Sequence, residues 1–291
     1  KNTDSKSTPA TKEKEKAKEY ESAGINRVSM GLQAKQDKHL KVLGRLHTAE
    51  NFKASVELLH SVGITNINGD LILGLPNQTP EEVKESVEFL TSLGVTHSSI
   101  YMLELEENTP ITKLVNGGLL SIPTESETIK LYSTAKTELE KNGFSRYEIS
   151  NFSKSGFESR HNKVYWNRGE YLGFGVSGAS FVDGTRFQNT ASLSVYNDRI
   201  KNNEIPLEYR EVLTPEEKAE ETILLSLRTT NGLNLTEFQN EFGGELITKK
   251  KDVIKSLITD GFLILNPHTD TLCATDKGFM VLDKIISMLV D

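Results

Sequence analysis

Between Asn26 and Leu105, short apolar runs bounded by Gly or Pro alternate with amphipathic stretches, and this restricts the chain to a parallel sheet or barrel flanked by helices. NRVSMGLQ (Asn26 to Gln33), ITNINGDLILGLP (Ile64 to Pro76) and THSSIYMLEL (Thr96 to Leu105) read as strands. Helical periodicity covers Ala49 to Val62 and Pro80 to Leu93. Thr79 is placed to cap the second helix, with Pro80 at its first position and Glu82 at its third, the pattern of a capping box.

The rest of the chain has a different texture. A loop with Asn108, Pro110, Gly117 and Gly118 leads into a helix over about Thr124 to Asn142, stopped by Gly143. RYEISNFS reads as one further strand. Arg160 to Ser180, RHNKVYWNRGEYLGFGVSGAS, then gathers the only Trp, a His, two Tyr and four Gly. Its composition suits either a strand, turn, strand element with a core Trp or a surface for a large planar ligand. A helix follows near Leu193 to Lys201. Beyond Pro206, three short helices (Pro215 to Leu227, Leu235 to Phe242, Ile247 to Asp260), the hairpin GFLILNPHTDTLCAT and a closing helix (Gly278 to Val290) follow the winged-helix order. Lys1 to Lys16 is polar and reads as a loosely ordered lead to a helix that ends near Ser22. The expected partition is 1–16, 17–150, 151–205 and 206–291, with the last boundary between Asn203 and Thr214.

Charge and cysteine usage narrow the function. A formal net charge of −7 argues against gripping nucleic acid, so the winged-helix-like part reads as a packing or partner module. Cys273 is the only cysteine, which excludes an internal disulfide or an all-cysteine metal site within these residues and fits a reducing cytoplasm. With no apolar run of membrane length and no signal-peptide pattern, a soluble, cytoplasmic protein is expected.

In βα architectures ligands gather at the carboxyl ends of strands, which here carry Gln33, Asp70, Glu104 and Glu106, with Arg45 nearby. A Gln amide and an ionised Asp could hold a nucleoside's polar edge and ribose, and Arg45 a carboxylate. Taken singly, each has an ordinary reading as a hydrogen-bonder, a cap or a surface charge. Glu104 and Glu106 would share one side of a strand, as a cofactor contact or an exposed acidic end. His39, His47, His60, His97 and His268 show no metal spacing and read as ordinary residues.

The strings GINRVSMGLQ, LGRLHTAE, NGDLILGLPNQTPEE, RYEISNF, RHNKVYW and YLGFGVSGAS, in this order, resemble the radical S-adenosylmethionine (SAM) proteins related to oxygen-independent coproporphyrinogen oxidase, above all the HemW branch of haem chaperones. The resemblance runs from about Lys12 to the carboxyl end. It implies an α/β fold: a partial (β/α) radical-SAM barrel of the later strands, an appended α+β segment and a C-terminal winged-helix-like domain. It also implies a haem chaperone-like protein that binds haem, SAM and a four-iron, four-sulfur (4Fe-4S) cluster and hands haem to an acceptor protein. Gln33, Arg45 and Asp70 match the family's SAM contacts, with the backbone near Leu103 and Glu104 beside the same ligand. His161, Asn162, Tyr165 and Trp166 match its haem-handling string, His161 being the implied iron ligand and Tyr165 and Trp166 packing on the macrocycle.

The family's CxxxCxxC triplet and glycine-rich strand end are not among these 291 residues. The expectation is therefore a fragment or truncated product lacking the first three βα units. Such a chain would bind SAM weakly or not at all, would be marginally stable, and would expose an edge at Asn26 to Gln33 through which it could self-associate. Two further readings stay open: a coproporphyrinogen III oxidase, which needs the cluster, and an inactive remnant.

Overall fold

The computed structural model describes residues 9–290, and the chain divides between Glu158 and Ser159 into two compact units. The first unit contains α1 (Pro9–Ser22), β1 (Arg27–Gln33), α2 (Asp37–Val42), α3 (Ala49–Ser61), β2 (Asn66–Leu73), α4 (Pro80–Ser92), β3 (His97–Met102), α5 (Pro110–Asn116), α6 (Glu125–Lys141), β4 (Ser145–Arg146) and β5 (Asn151–Ser153). Helix α1 begins at Pro9, so the expected loose lead is helical from that residue onward, while residues 1–8 lie outside the described part. Its charged run allows Glu and Lys to meet one turn apart, and Lys16 lies over the Tyr20 ring. The capping box at Thr79 and Glu82 forms as expected, and Thr48 and Thr124 open α3 and α6 in the same way.

The sheet order is β1-β2-β3-β5-β4. Strands β1, β2 and β3 run parallel, whereas β5 and β4 add antiparallel, so the sheet is mixed and open. RYEISNFS is thus two strands. The chain reverses between them, where the Tyr147 amide donates to the Asn151 carbonyl and the Ser150 amide to the Glu148 carboxylate. The Pro110 region is also a helix, with Thr109 as N-cap and Pro110 at its first turn. Strand β1 lies at the end of the sheet with no strand beyond it among the described residues, as expected for Asn26 to Gln33.

Alternation gives this sheet two unlike faces. Ile67, Leu71 and Leu73 on β2 and Ile100 on β3 are buried with Phe52 and Val56 of α3, Val83, Val87 and Leu90 of α4, and Leu131 and Leu139 of α6. The other face carries Arg27, Ser29 and Gly31 on β1, Asn66, Asn68 and Asp70 on β2, and His97 and Ser99 on β3. The register sets Ser29 against Asn68, Asn68 against His97, and Asp70 against Ser99.

The second unit opens with α7 (Arg160–Trp166), a helix where one of the two sequence readings had a strand. Ser159 caps this helix by accepting from the Asn162 amide. Next come β6 (Ala179–Val182), β7 (Thr185–Asn189), α8 (Leu193–Lys201) and β8 (Leu207–Val212), whose strands form an antiparallel sheet in the order β6-β7-β8. The remainder contains α9 (Pro215–Leu227), β9 (Leu233–Asn234), α10 (Leu235–Phe242), α11 (Glu245–Lys249), α12 (Lys251–Thr259), β10 (Leu263–Asn266), β11 (Thr271–Ala274), α13 (Asp276–Phe279) and α14 (Leu282–Val290). Ile223, Leu227, Phe238, Leu257, Leu272 and Ile286 are in its core. Among the described residues no helix is long and apolar enough to cross a membrane.

Candidate functional site

Gln33, Arg45, Asp70, Leu103 and Glu104 line one cavity of about 730 Å³ in the first unit, together with Tyr101 and Met102 at the end of β3. Local structure explains how residues so far apart in sequence converge. Gln33 sits at a bulge at the end of β1 with φ 61°, and its side chain folds back over Gly31, where a Cβ would collide with the Gln33 amide. Arg45 follows α2 through Gly44 (φ 68°), and its amide donates to the Leu40 carbonyl. The sequence reading did not anticipate α2. Leu103 leaves β3 with its amide donating to the Leu73 carbonyl at 2.7 Å. Glu104 and Glu106 lie beyond the end of β3, on irregular chain rather than on one side of a strand.

Burial pushes the Asp70 carboxyl above its ordinary range, opposed by hydrogen bonds from Asn68 and Ser99 and by the charge of Arg27. Behind it lies a polar chain that sequence reasoning missed. Asn68 Nδ2 donates to Asp70 Oδ1 and to Ser29 Oγ, both at 2.6 Å. Its Oδ1 is therefore an acceptor, facing His97 Nδ1 at 2.7 Å and the Ser99 hydroxyl at 3.3 Å. His97 Nδ1 then carries the proton, and Nε2, 2.7 Å from the Tyr147 hydroxyl, accepts from it. Burial, aided by the charge of Arg27, lowers His97 to about 3, so the ring is neutral. The available signal was polar residues at alternate positions of two neighbouring strands. Nearby, Glu148 is fully buried, and burial raises its carboxyl despite donors at Ser150, Asn151 and Ile149.

In the second unit, the four residues of the string HNxxYW fall on different sides of α7. His161 and Tyr165, one turn apart, are exposed, with Nε2 and Oη 2.8 Å apart and ring centroids at 4.7 Å. Tyr171 packs edge-on against Tyr165 at 4.6 Å and pairs through its backbone with Phe181. From Tyr171 the chain runs into a loop whose Leu172 and Phe174 are 62% and 86% exposed. Gly173 is required there, because a Cβ would collide with the Ala179 backbone. Trp166 instead lines a separate cavity of about 590 Å³ with Arg168, Thr222, Asn231, Phe238 and Glu241, its Nε1 buried without a protein partner. The Asn162 amide serves the Ser159 cap, and its side chain is half-buried.

The residues around the first cavity fit a nucleoside ligand with a carboxylate: an acidic oxygen held by Asn68, a Gln amide, an arginine and extended backbone. They do not fit an iron–sulfur cluster: none of the residues lining this cavity is a cysteine, and the one thiol of the sequence, Cys273, is on β11 of the second unit, where burial raises it. Among the described residues no group of three or more His, Cys, Asp or Glu could hold a metal ion.

Residues 5–90 match the Radical SAM superfamily and residues 213–281 the HemN C-terminal domain. The chain is 34% identical over 249 residues to the heme chaperone HemW of Bacillus subtilis (strain 168), covering 86% of this chain and 66% of that protein. It is 34% identical over 260 residues to HemW of Lactococcus lactis subsp. lactis (strain IL1403), covering 88% and 67%. Over 294 residues it is 28% identical to the Danio rerio mitochondrial radical S-adenosyl methionine domain-containing protein 1, covering 97% and 65%. Among solved structures, coproporphyrinogen III oxidase (HemN) from Escherichia coli superposes with a TM-score of 0.77 at 18% identity, over 95% of this chain and 66% of that one. The chain thus spans about two thirds of the length of these relatives.

Proposed function

The chain belongs to the HemW family of the radical SAM superfamily, and from that premise we propose that it handles haem, presenting it on the exposed His161–Tyr165 side of α7 to an acceptor protein. The observation that carries this reading is the exposed imidazole–phenol pair, two iron-ligating side chains held together beside the apolar loop that follows Tyr171. We read 17–150 as the SAM-binding part, 151–205 as the haem-handling part and 206–291 as a winged-helix-like partner module, in a cytoplasmic protein.

In the first cavity Asp70 would accept hydrogen bonds from the ribose hydroxyls of SAM. Gln33 would meet a polar edge of the nucleoside, Arg45 would pair with the carboxylate, and Leu103 and Glu104 would offer backbone. When bound to a cluster, SAM supplies radical chemistry; these residues hold no such cluster, so this chain's own part is to bind and orient. The free edge of β1 would let the chain pair with a second copy, and a mass in sedimentation that stays monomeric at every concentration would reject that contact.

Titration of the chain with haem tests the main reading. We expect a Soret shift in the natural chain that is lost in the double variant His161→Ala, Tyr165→Phe. No shift in the natural chain, or an unchanged shift in the variant, rejects it.

A further inference from the structure

Resting on that haem-handling reading, we propose that the atom of this chain that bonds the iron is Tyr165 Oη, with His161 as its hydrogen-bond partner, and that the site therefore prefers ferric to ferrous haem. The imidazole is not an open ligand. Its Nε2 is already engaged, with Tyr165 Oη 2.8 Å from it. The phenol oxygen is better placed. When its O–H donates to Nε2, both oxygen lone pairs remain outward, and the Tyr165 side chain is 37% exposed.

The phenol is also fixed in place. Its ring is held edge-on from two directions, by His161 at 4.7 Å and by Tyr171 at 4.6 Å. Uncovering Nε2 costs at least the ring contact and the hydrogen bond between His161 and Tyr165, whereas ligation through oxygen keeps both. Apolar surface for the macrocycle starts one residue beyond Tyr171, at Leu172, and continues to Phe174 and Val176, with Gly173 and Gly175 adding no bulk between them.

The bond change balances without an oxidant or reductant. As the iron–oxygen bond forms, the Tyr165 O–H bond breaks and its proton passes to His161 Nε2. A water on the ferric iron leaves, and the imidazolium stays hydrogen-bonded to the phenolate oxygen. A hard, anionic phenolate suits the ferric ion and gives little to the softer ferrous one, and this is the source of the preference. His161 is then a positioning residue, which receives the proton and orients the ligand.

The experiment is a titration of the chain with ferric and ferrous haem, comparing Tyr165→Phe, His161→Ala and His161→Gln, with visible and resonance Raman spectra of each complex. We expect a high-spin ferric complex with a phenolate-to-iron charge-transfer band and enhanced phenolate modes in the natural chain. Both should vanish in Tyr165→Phe, with ferric affinity falling and ferrous affinity nearly unchanged. His161→Ala should keep the band with affinity lowered about 10- to 100-fold, the scale for losing a ligand's hydrogen-bond partner, and His161→Gln should recover part of it. A low-spin imidazole spectrum that survives Tyr165→Phe and disappears in His161→Ala overturns the proposal while leaving the haem-handling reading intact. No haem binding by the natural chain overturns both. Far-ultraviolet circular dichroism of each variant checks that the fold is kept.

Discussion

Acidification should weaken the first unit through His97, and the size of the effect follows from its surroundings. Burial and the charge of Arg27 hold the folded ring at about 3, against 6.5 for an unperturbed histidine. Between those values the unfolded chain binds a proton that the folded chain refuses, so stability is complete above about 6.5 and is lost as the pH falls towards 3. Each pH unit inside the window costs about 1.4 kcal/mol, so a drop of two units removes roughly 2.7 kcal/mol. That is a large part of the 5–15 kcal/mol, roughly, that holds an ordinary domain together. Asp70 and Glu148 act with the opposite sign. Their raised carboxyls take up protons in the folded state before the unfolded chain does, so their contribution grows as the pH falls. A difference measurement separates the two effects. His97→Asn cannot titrate, and its amide can still donate towards Asn68; at neutral pH it should cost about 1–3 kcal/mol for the hydrogen bond lost between the ring and the Tyr147 hydroxyl. Urea unfolding of both proteins from neutral pH down to about pH 4.5 should show the gap between them closing by roughly 2–3 kcal/mol. A gap that stays constant would mean that His97 is not held neutral by burial, and the reasoning would fail.

Two further substitutions test the packing behind the first cavity and the cavity itself. At Gly69 an added Cβ would collide with Leu90 Cδ2, so Gly69→Ala should cost about 1–3 kcal/mol, and Leu90→Ala about 2–5 kcal/mol, in urea unfolding. Because the new methyl enters the space that Leu90 vacates, the double variant should cost less than the sum, and strict additivity would count against this packing. At Gly31 an added Cβ would displace the Gln33 amide, so Gly31→Ala should lower calorimetric affinity for S-adenosylhomocysteine about tenfold, the worth of roughly 1.4 kcal/mol. Measurable affinity in the natural chain that Gly31→Ala leaves unchanged would remove Gln33 from the ligand's contacts.

What could be read from the chain alone divides by how local its cause is. The β1, β2 and β3 strands and the α3, α4 and α6 helices were legible because hydrophobic period and capping residues sit within each segment. Helix α2 was not, since it is six residues long and Gln36 at its start makes no capping hydrogen bond. The break in RYEISNFS depends on the Glu148 carboxylate folding onto the chain ahead of it. Helix α7 was not legible in the composition of Arg160 to Ser180, and it is Ser159 before it and Arg168 after it, at φ 52°, that bound it. The grouping of Gln33, Arg45 and Asp70 came from their places at strand ends and from resemblance, because no local property joins residues brought together by a bulge, a helix end and a neighbouring strand. The pairing of Asn68 with His97 needed the register of β2 against β3.

The string HNxxYW is continuous in sequence but serves two purposes in space, and helix geometry explains why they travel together. Residues four apart share a side of a helix, so His161 pairs with Tyr165, while Trp166 belongs to a different side. A seven-residue helix is too short to hold its shape by itself. Helix α7 is tied down just past its end, where Arg168 donates to the Lys218 carbonyl and the Thr222 hydroxyl of α9 and pairs with Glu241 of α10 at 2.7 Å. Trp166 lies beside these contacts and lines the same cavity. Trp166 thus lies on a different side of α7 from the His161–Tyr165 pair. On the proposed haem-handling reading, the Arg168 contacts to α9 and α10 would hold the short helix so that the imidazole and the phenol stay within hydrogen-bonding distance while exposed to solvent.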